Sequence, residues 1–82
     1  MWSDGILEIA VKGSDKRVKA VYQVKHYEMG SRFGIRGGQV SKLWIEIDGK
    51  CAVSYDRGWD TRPDRKNPVV MDAYRAILKQ YN

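Results

Sequence analysis

The spacing of apolar residues changes only once along this chain, and that single change limits the folds it can adopt. Up to Tyr55, apolar and polar residues alternate, which is the pattern of β-strands with one buried face. After Asn67, apolar residues recur every three or four positions, as they do along one side of a helix. The sequence therefore predicts an α+β fold in which strands are followed by one C-terminal helix.

Four segments alternate strongly enough to be interpreted as strands, namely residues 5–12, 17–27, 39–47 and 50–55. Asp48 and Gly49 separate the last two and are typical of a two-residue hairpin turn. Residues 29–38 contain four glycines and predict an ordered loop, because glycine serves where the backbone needs positive φ or close approach. We expect a four-stranded antiparallel β-meander with one C-terminal helix packed on one face (ββββα), forming a single domain over residues 1–82.

The start of the helix is marked by Asn67 and Pro68. Asparagine is a favoured N-cap, and proline suits the first helical position because its missing N–H has no partner there. The apolar stripe that follows must cover the inner face of the sheet, and it consists of Val70, Ala73, Tyr74, Ile77, Leu78 and Tyr81.

The positive charge of the chain is concentrated in one stretch. The formal net charge is +5, yet the residues from Lys12 to Lys42 include eight basic and two acidic side chains, and the rest of the chain is nearly balanced. A localised positive surface attracts anionic partners such as nucleic acid. A basic balance is also common in small domains that bind no polyanion.

Cysteine, histidine and hydropathy exclude several classes of protein. The chain has one cysteine, Cys51, and one histidine, His26, so it can form no internal disulfide and lacks the usual ligands of structural zinc. No apolar run approaches the roughly 20 residues needed to cross a bilayer, and no export signal is visible. We therefore expect a cytoplasmic protein with no metal, no cofactor and no membrane association.

The outer face of the predicted sheet, opposite the helix, is the first candidate site. Strict alternation places Trp44 there, away from Leu43 and Ile45, and basic residues accompany it. Lysine or arginine next to an aromatic ring suits single-stranded nucleic acid, whose bases stack while its phosphates pair with cations. The predicted contacts for nucleic acid or another polyanion are Lys19, Lys25, Arg36, Lys42 and Trp44. The alternative is that the 56–66 segment folds back and buries Trp44 against Trp59 or Phe33.

A second candidate is the charged segment from Asp56 to Lys66. Its acids and bases can form solvent-exposed ion pairs around Trp59, or Arg57 and Arg62 can form a fork for phosphate or carboxylate. Aromatic residues and arginine are also enriched where proteins bind each other. The predicted interaction loop therefore contains Phe33, Arg57, Trp59 and Arg62, and with Trp44 its rings would form a hot spot for a protein partner or a homodimer. Strand one or strand four could also pair with a second chain at an edge of the sheet.

Enzymatic activity is not expected from this sequence. His26 falls at the end of a strand on its apolar side, and Cys51 lies on the predicted core side. No pair of carboxylates and no Cys-His or Ser-His arrangement has an identifiable partner. Gly34 to Gly38 lacks the Gly-Lys-Ser/Thr ending of a phosphate-binding P-loop and precedes a strand. The expected role is therefore a non-enzymatic binding module.

Two strings of residues resemble a group of short uncharacterised proteins. They are Gly34-Ile35-Arg36-Gly37-Gly38-Gln39-Val40-Ser41-Lys42-Leu43-Trp44-Ile45 and Tyr55-Asp56-Arg57-Gly58-Trp59-Asp60, followed by a helix ending in Tyr81-Asn82. These proteins occur in Gram-positive bacteria and in their phages and mobile elements, and the resemblance covers residues 30–82. It brings no activity with it. A phage setting implies an interaction protein, such as an inhibitor of a host defence complex or a small regulator.

Overall fold

A computed structural model describes all 82 residues as five strands and one helix. The strands are Trp2–Ala10 (β1), Arg17–His26 (β2), Val40–Ile47 (β3), Lys50–Asp56 (β4) and Trp59–Thr61 (β5), and the helix is Pro68–Tyr81 (α1). All neighbouring strands are antiparallel and lie in chain order across the sheet. The predicted α+β class, antiparallel meander and C-terminal helix are confirmed, but the predicted number of four strands is wrong. The helix is too short and too polar to span a membrane.

The additional strand, β5, lies in the segment that was expected to be an irregular charged loop. Arg57 adopts a φ of 56°, and the Asp56 N–H donates to the Gly58 carbonyl at 2.9 Å, so the chain reverses tightly after β4. Trp59 then pairs with Tyr55, and Thr61 pairs with Ser54. Three residues are too few to show a period of two, which is why alternation did not reveal this strand. Because β5 pairs with β4, the edges of the sheet are β1 and β5: strand one is an edge as predicted, and strand four is not.

The first strand begins three residues earlier than predicted and ends two residues earlier. Pairing with β2 extends as far as Trp2, which lies opposite Lys25, and the His26 N–H donates to the Met1 carbonyl at 2.9 Å. At the other end the chain turns at Gly13, whose φ is 79°. The extent of β1 thus follows from its pairing with β2. The alternation of residues 5–12 alone could not predict it.

The core lies between one face of the sheet and α1. Alternate residues of β2, β3 and β4 point into it, and the helix contributes four buried side chains, so the predicted alternation and the predicted stripe are confirmed. At the predicted hairpin turn, Asp48 and Gly49 both have positive φ, as a type I′ turn requires. The buried apolar residues are Ile9, Ala20, Tyr22, Val24, Ile35, Val40, Leu43, Ile45, Val53, Tyr55, Val70, Ala73, Tyr74 and Ile77.

The helix begins as the sequence predicts. The Asn67 side-chain oxygen accepts hydrogen bonds from the Val69 and Val70 N–H groups at 3.1 and 3.3 Å, and Pro68 is the first helical residue. These contacts satisfy donors that have no partner within the first turn.

Asn82 fixes the end of the helix to residues 29–38, which we call the glycine-rich loop. Its side-chain amide accepts a hydrogen bond from the Val40 N–H at 3.0 Å and donates one to the Ile35 carbonyl at 3.2 Å. A Cβ at Gly38 would collide with this amide, and a Cβ at Gly34 would collide with the Gly38 carbonyl. The loop is therefore compact because its backbone segments come into contact at glycines, which have no side chain. The end of α1 holds the loop against the start of β3.

We predict that Asn82→Ala lowers the free energy of unfolding by about 1–3 kcal/mol, because two partly buried hydrogen bonds are lost and the Val40 N–H loses its acceptor, while the Ile35 carbonyl keeps its bond from the Gly38 N–H. Urea denaturation measures the change. Gln80→Ala, which alters an exposed residue of the same helix, serves as the matched control and should change stability by less than about 0.5 kcal/mol. Equal stability of the two variants would contradict the role given to Asn82.

A pair of tyrosines joins the middle of β2 to the end of α1. The Tyr22 and Tyr81 hydroxyl groups are 3.1 Å apart, and the Tyr22 ring lies over Gly5. The hydrogen bond with Tyr81, together with burial, raises the pKa of Tyr22 to about 12. The neutral phenol is therefore favoured in the folded protein relative to the unfolded chain, where tyrosine titrates at about 10.

This shift predicts a loss of stability at high pH. The contribution of Tyr22 is fully present below pH of about 10 and is lost as the pH rises to about 12, because the unfolded chain releases its proton first. Thermal denaturation as a function of pH measures the loss. Tyr22→Phe should flatten the curve in that interval, whereas Tyr27→Phe, at an exposed tyrosine, should leave it in place. A curve unchanged by Tyr22→Phe would show that other groups cause the loss.

Candidate functional site

The outer face of the sheet carries an exposed group of aromatic and lysine side chains. Trp2 lies opposite Lys25, Lys25 lies opposite Lys42, and Trp44 is two residues farther along β3. Tyr27 follows β2 directly. Trp2, Tyr27 and Trp44 are 57%, 45% and 43% exposed. We call Trp2, Lys25, Tyr27, Lys42 and Trp44 the aromatic-lysine cluster.

Lys25 is the central cation of this cluster. Its ammonium nitrogen lies 5.9 Å from the centre of the Trp2 ring and 5.8 Å from that of the Tyr27 ring, within the range of cation–π attraction. The same lysine lowers the pKa of the Tyr27 hydroxyl. Lys42 is partly neutralised, because its ammonium lies 3.6 Å from the Asp56 carboxylate. In this cluster, Lys25 therefore lies between two rings and has no carboxylate partner. Lys42 is paired with a carboxylate, but at the protein surface.

The structure brings together three of the five predicted polyanion contacts. Lys25, Lys42 and Trp44 belong to the cluster. Lys19 lies on the same face opposite Glu8, six residues from Lys25, which at about 3.3 Å per residue places it roughly 20 Å away. Arg36 does not lie on this face, although it was grouped with it from sequence, because the glycine-rich loop turns it toward the helix side.

The alternative expectation, that Trp44 is buried under the 56–66 segment, is wrong. Trp59 instead packs on the helix side of the sheet, with its ring 4.9 Å from Tyr55 and 5.8 Å from Tyr74. Phe33 lies elsewhere, beneath the guanidinium groups of Arg32 and Arg57 at 4.9 and 5.7 Å. The rings of Trp44, Trp59 and Phe33 therefore form no common hot spot.

The predicted interaction loop is also divided between two places. Arg57 contacts the Phe33 ring, whereas the Arg62 guanidinium lies 5.5 Å from the Trp59 ring. The two arginines thus engage different rings and do not form the fork expected for one phosphate. The exposed ion pairs expected in this segment are not formed among its own residues, since the single ion pair of the chain joins Asp56 to Lys42 of β3.

A second concave site lies between α1 and the segment that follows β5. It is a pocket of about 860 Å³ that includes Arg36, Trp59 and Arg62 from the sequence-based predictions. We call it the arginine pocket. Its polar residues are Arg36, Arg62, Arg65, Arg75 and Tyr74, and its apolar residues are Ile35, Trp59, Pro63, Met71 and Leu78.

The four arginines of this pocket have no acidic partner. No aspartate or glutamate lines the pocket, and the single ion pair of the chain within 4.0 Å is the one between Lys42 and Asp56. Burial raises the pKa of Tyr74, while Arg36, Arg62 and Arg65 act in the opposite direction through their positive charge. At neutral pH the Tyr74 hydroxyl is therefore protonated beside several guanidinium groups, and all of these groups can donate hydrogen bonds.

The backbone of Arg36 is unusual for a residue with a side chain. It has φ 55° and ψ 31°, the left-handed conformation that costs most residues about 1–2 kcal/mol relative to glycine. Buried Ile35 precedes it and Gly37 follows it, and hydrogen bonds from the Gly37 and Gly38 N–H groups close the turn. Arginine thus occupies a position whose left-handed backbone conformation would cost glycine less free energy.

Sequence reasoning missed residues of both sites. Trp2 was overlooked because strand one was taken to begin at residue 5, although Trp2 is in phase with Asp4 and Ile6. Arg65 and Arg75 were not connected with Arg36, because no local pattern shows that a loop, a post-strand segment and a helix converge. His26, expected at the end of a strand on its apolar side, lies half-buried there with its ring nitrogen 2.9 Å from the Ser3 hydroxyl. No group of three or more histidine, cysteine, aspartate or glutamate side chains is placed to hold a metal ion.

Comparison with protein families gives one match over the whole chain. The family described as Domain of unknown function (DUF7678) matches residues 1–82. The chain belongs to this family. The match confirms the expected kinship with uncharacterised proteins and extends it, because the resemblance seen in the sequence began only at residue 30. The DUF7678 match thus includes the basic strand β2, which lies outside the resemblance over residues 30–82.

The remaining comparisons add no relative of known function. Neither the curated proteins nor the solved structures contain a match to this chain.

We predict that Arg36→Gly leaves the stability of this DUF7678 protein within about 1 kcal/mol of the original, because relief of the left-handed backbone offsets the greater freedom of glycine in the unfolded chain. Arg36→Val removes the same charge but places a β-branched residue at positive φ, and it should be less stable than Arg36→Gly by about 1–2 kcal/mol. Chemical denaturation measures both. Equal destabilisation by the two variants would mean that the Arg36 side chain itself supports the fold.

Proposed function

We propose that this protein is a non-enzymatic binding module that engages single-stranded nucleic acid through the outer face of its sheet. The observation that carries the proposal is the aromatic-lysine cluster, in which three exposed rings surround two lysines on a face that no helix covers. Single-strand-binding proteins combine stacking rings with cations in this way, and RNA-recognition domains present their aromatic residues on an open sheet.

Each part of the cluster has a distinct task in this proposal. Trp2 and Trp44 stack with bases, at about 1–3 kcal/mol for each stacked base. Lys25 and Lys42 lie opposite each other, Lys25 beside Trp2 and Lys42 two residues from Trp44, and they contact phosphates. Lys19 is too distant to share the same contacts, and its neighbour Glu8 weakens its attraction for an anion. Specificity for sequence is not part of the proposal, because stacking tolerates every base.

A protein partner on the same face is the second candidate function. Ile6 and Val21 lie directly opposite each other and are 61% and 42% exposed, next to the row that contains Trp44. Exposed apolar residues beside tryptophan are typical of the centre of a protein interface. An inhibitor of a host complex, or a homodimeric regulator, would use the face in this way, and a phage or mobile-element origin would suit such a role.

We predict that fluorescently labelled single strands bind more tightly than duplexes of the same length. With two phosphate contacts, affinity should fall about sevenfold between about 50 and 200 mM salt, from a slope of about −0.7 for each contact. Fluorescence anisotropy measures both effects. Trp44→Ala should weaken binding about tenfold through the loss of one stacked base, and Lys25→Gln should halve the salt slope.

The control is Arg17→Gln, which removes one charge at the far end of β2 and should leave affinity almost unchanged. Absence of binding at low salt would reject the nucleic-acid proposal. Attachment of a protein partner that depends on Val21 and Trp44 but is insensitive to salt would support the second candidate instead.

A further inference from the structure

The arginine pocket concentrates positive charge from separate parts of the chain. Arg36 comes from the glycine-rich loop, Arg62 and Arg65 come from the segment after β5, and Arg75 comes from α1. Like charges in one depression repel each other, and no acidic side chain lines the depression to relieve them. Such a constellation gains most when an anion enters, because guanidinium groups bind phosphate oxygens through paired hydrogen bonds.

The remaining walls of the pocket are apolar or aromatic. Trp59 forms one side, and its ring is held by edge-on contact with Tyr55 and by Tyr74. Met71 and Leu78 of α1 contribute an apolar surface, and both are only partly buried. A ligand with phosphate groups alone would leave this surface in water, whereas a ligand that also carries a planar ring could cover it.

The volume of the pocket agrees with a small ligand. Pockets for small molecules enclose about 300–1,000 Å³, and this pocket has about 860 Å³. The pocket lies on the helix side of the sheet, so a strand of nucleic acid crossing the aromatic-lysine cluster on the other face does not reach it. The inference is therefore independent of the proposed function of the outer face.

We propose that the arginine pocket binds a nucleoside phosphate, with two or more phosphate groups held by Arg36, Arg62, Arg65 and Arg75 and the base placed against Trp59 and the apolar residues of α1. Tyr74 donates a hydrogen bond to the ligand from its protonated hydroxyl. Arg36 reaches this site from a loop that α1 holds in place, and its backbone there is in the left-handed conformation.

Isothermal titration calorimetry with ATP, ADP, AMP, adenosine and pyrophosphate tests the proposal. We expect ATP and ADP to bind more tightly than AMP, adenosine to show no measurable binding, and pyrophosphate to bind at least fivefold more weakly than ADP because it lacks the base. In a variant carrying Trp2→Phe and Trp44→Phe, Trp59 is the sole tryptophan. Its fluorescence should change on addition of ADP.

Variants of the pocket complete the test. Arg62→Gln and Arg36→Gly should each weaken ADP binding about tenfold, and circular dichroism melting shows whether each variant is folded. Arg17→Gln, which removes a charge from the opposite face, should bind ADP as the original protein does. Trp44→Ala should also bind ADP normally even though it impairs binding of single strands, so failure of one proposal can be distinguished from failure of the other.

Three results would overturn the inference. One is the absence of binding by every phosphate compound at about millimolar concentration, the weak limit of specific affinity. The second is equal weakening by Arg17→Gln and Arg62→Gln, which would show attraction to overall charge alone. The third is equal affinity for pyrophosphate and ADP, which would reject the base contact and with it the nucleoside assignment.

Discussion

One helix of 14 residues can cover only one face of a five-stranded sheet, and the organisation of the protein depends on that limit. The covered face holds nearly all of the buried apolar side chains, and α1 contributes Val70, Ala73, Tyr74 and Ile77 to the same core. The other face stays in contact with solvent, including its tryptophans. Large exposed apolar groups are uncommon in isolated monomers unless they serve binding. Residues of the covered face therefore stabilise the fold, while residues of the open face are the ones proposed to bind nucleic acid.

The connection between α1 and the glycine-rich loop is the second organising contact. Asn82 joins the start of β3 to the loop, because its amide accepts from the Val40 N–H and donates to the Ile35 carbonyl at the same time. Gly38 leaves room for that amide. The same contact brings Arg36 to the side of the helix, so a structural hydrogen bond determines where a charged side chain can act.

The sequence predicts what depends on period and on local turn chemistry. Alternation in β2 to β4, the Asp48-Gly49 turn and the Asn67-Pro68 helix start all follow from neighbouring residues, and the structure confirms them. The short strand β5 and the true start of β1 do not follow, because their extent is determined by a partner strand. Likewise Trp44 could be assigned to the outer face from its strand alone. The convergence of Arg36, Arg62 and Arg75 depends on how loops close over the helix, and no local pattern contains that information.

The order of elements in the chain has a consequence for how the protein folds. The sheet is a meander, so each strand pairs with the one just before it, and apart from the longer connection between β2 and β3 the strands are joined by short turns. The concave site between α1 and the post-β5 segment is different, because it needs the helix end to meet a loop more than 40 residues away, as in the contact of Asn82 with Val40 (separation 42). The open face therefore requires only pairing between neighbouring strands, whereas the arginine pocket also depends on contacts between residues more than 40 positions apart in the chain.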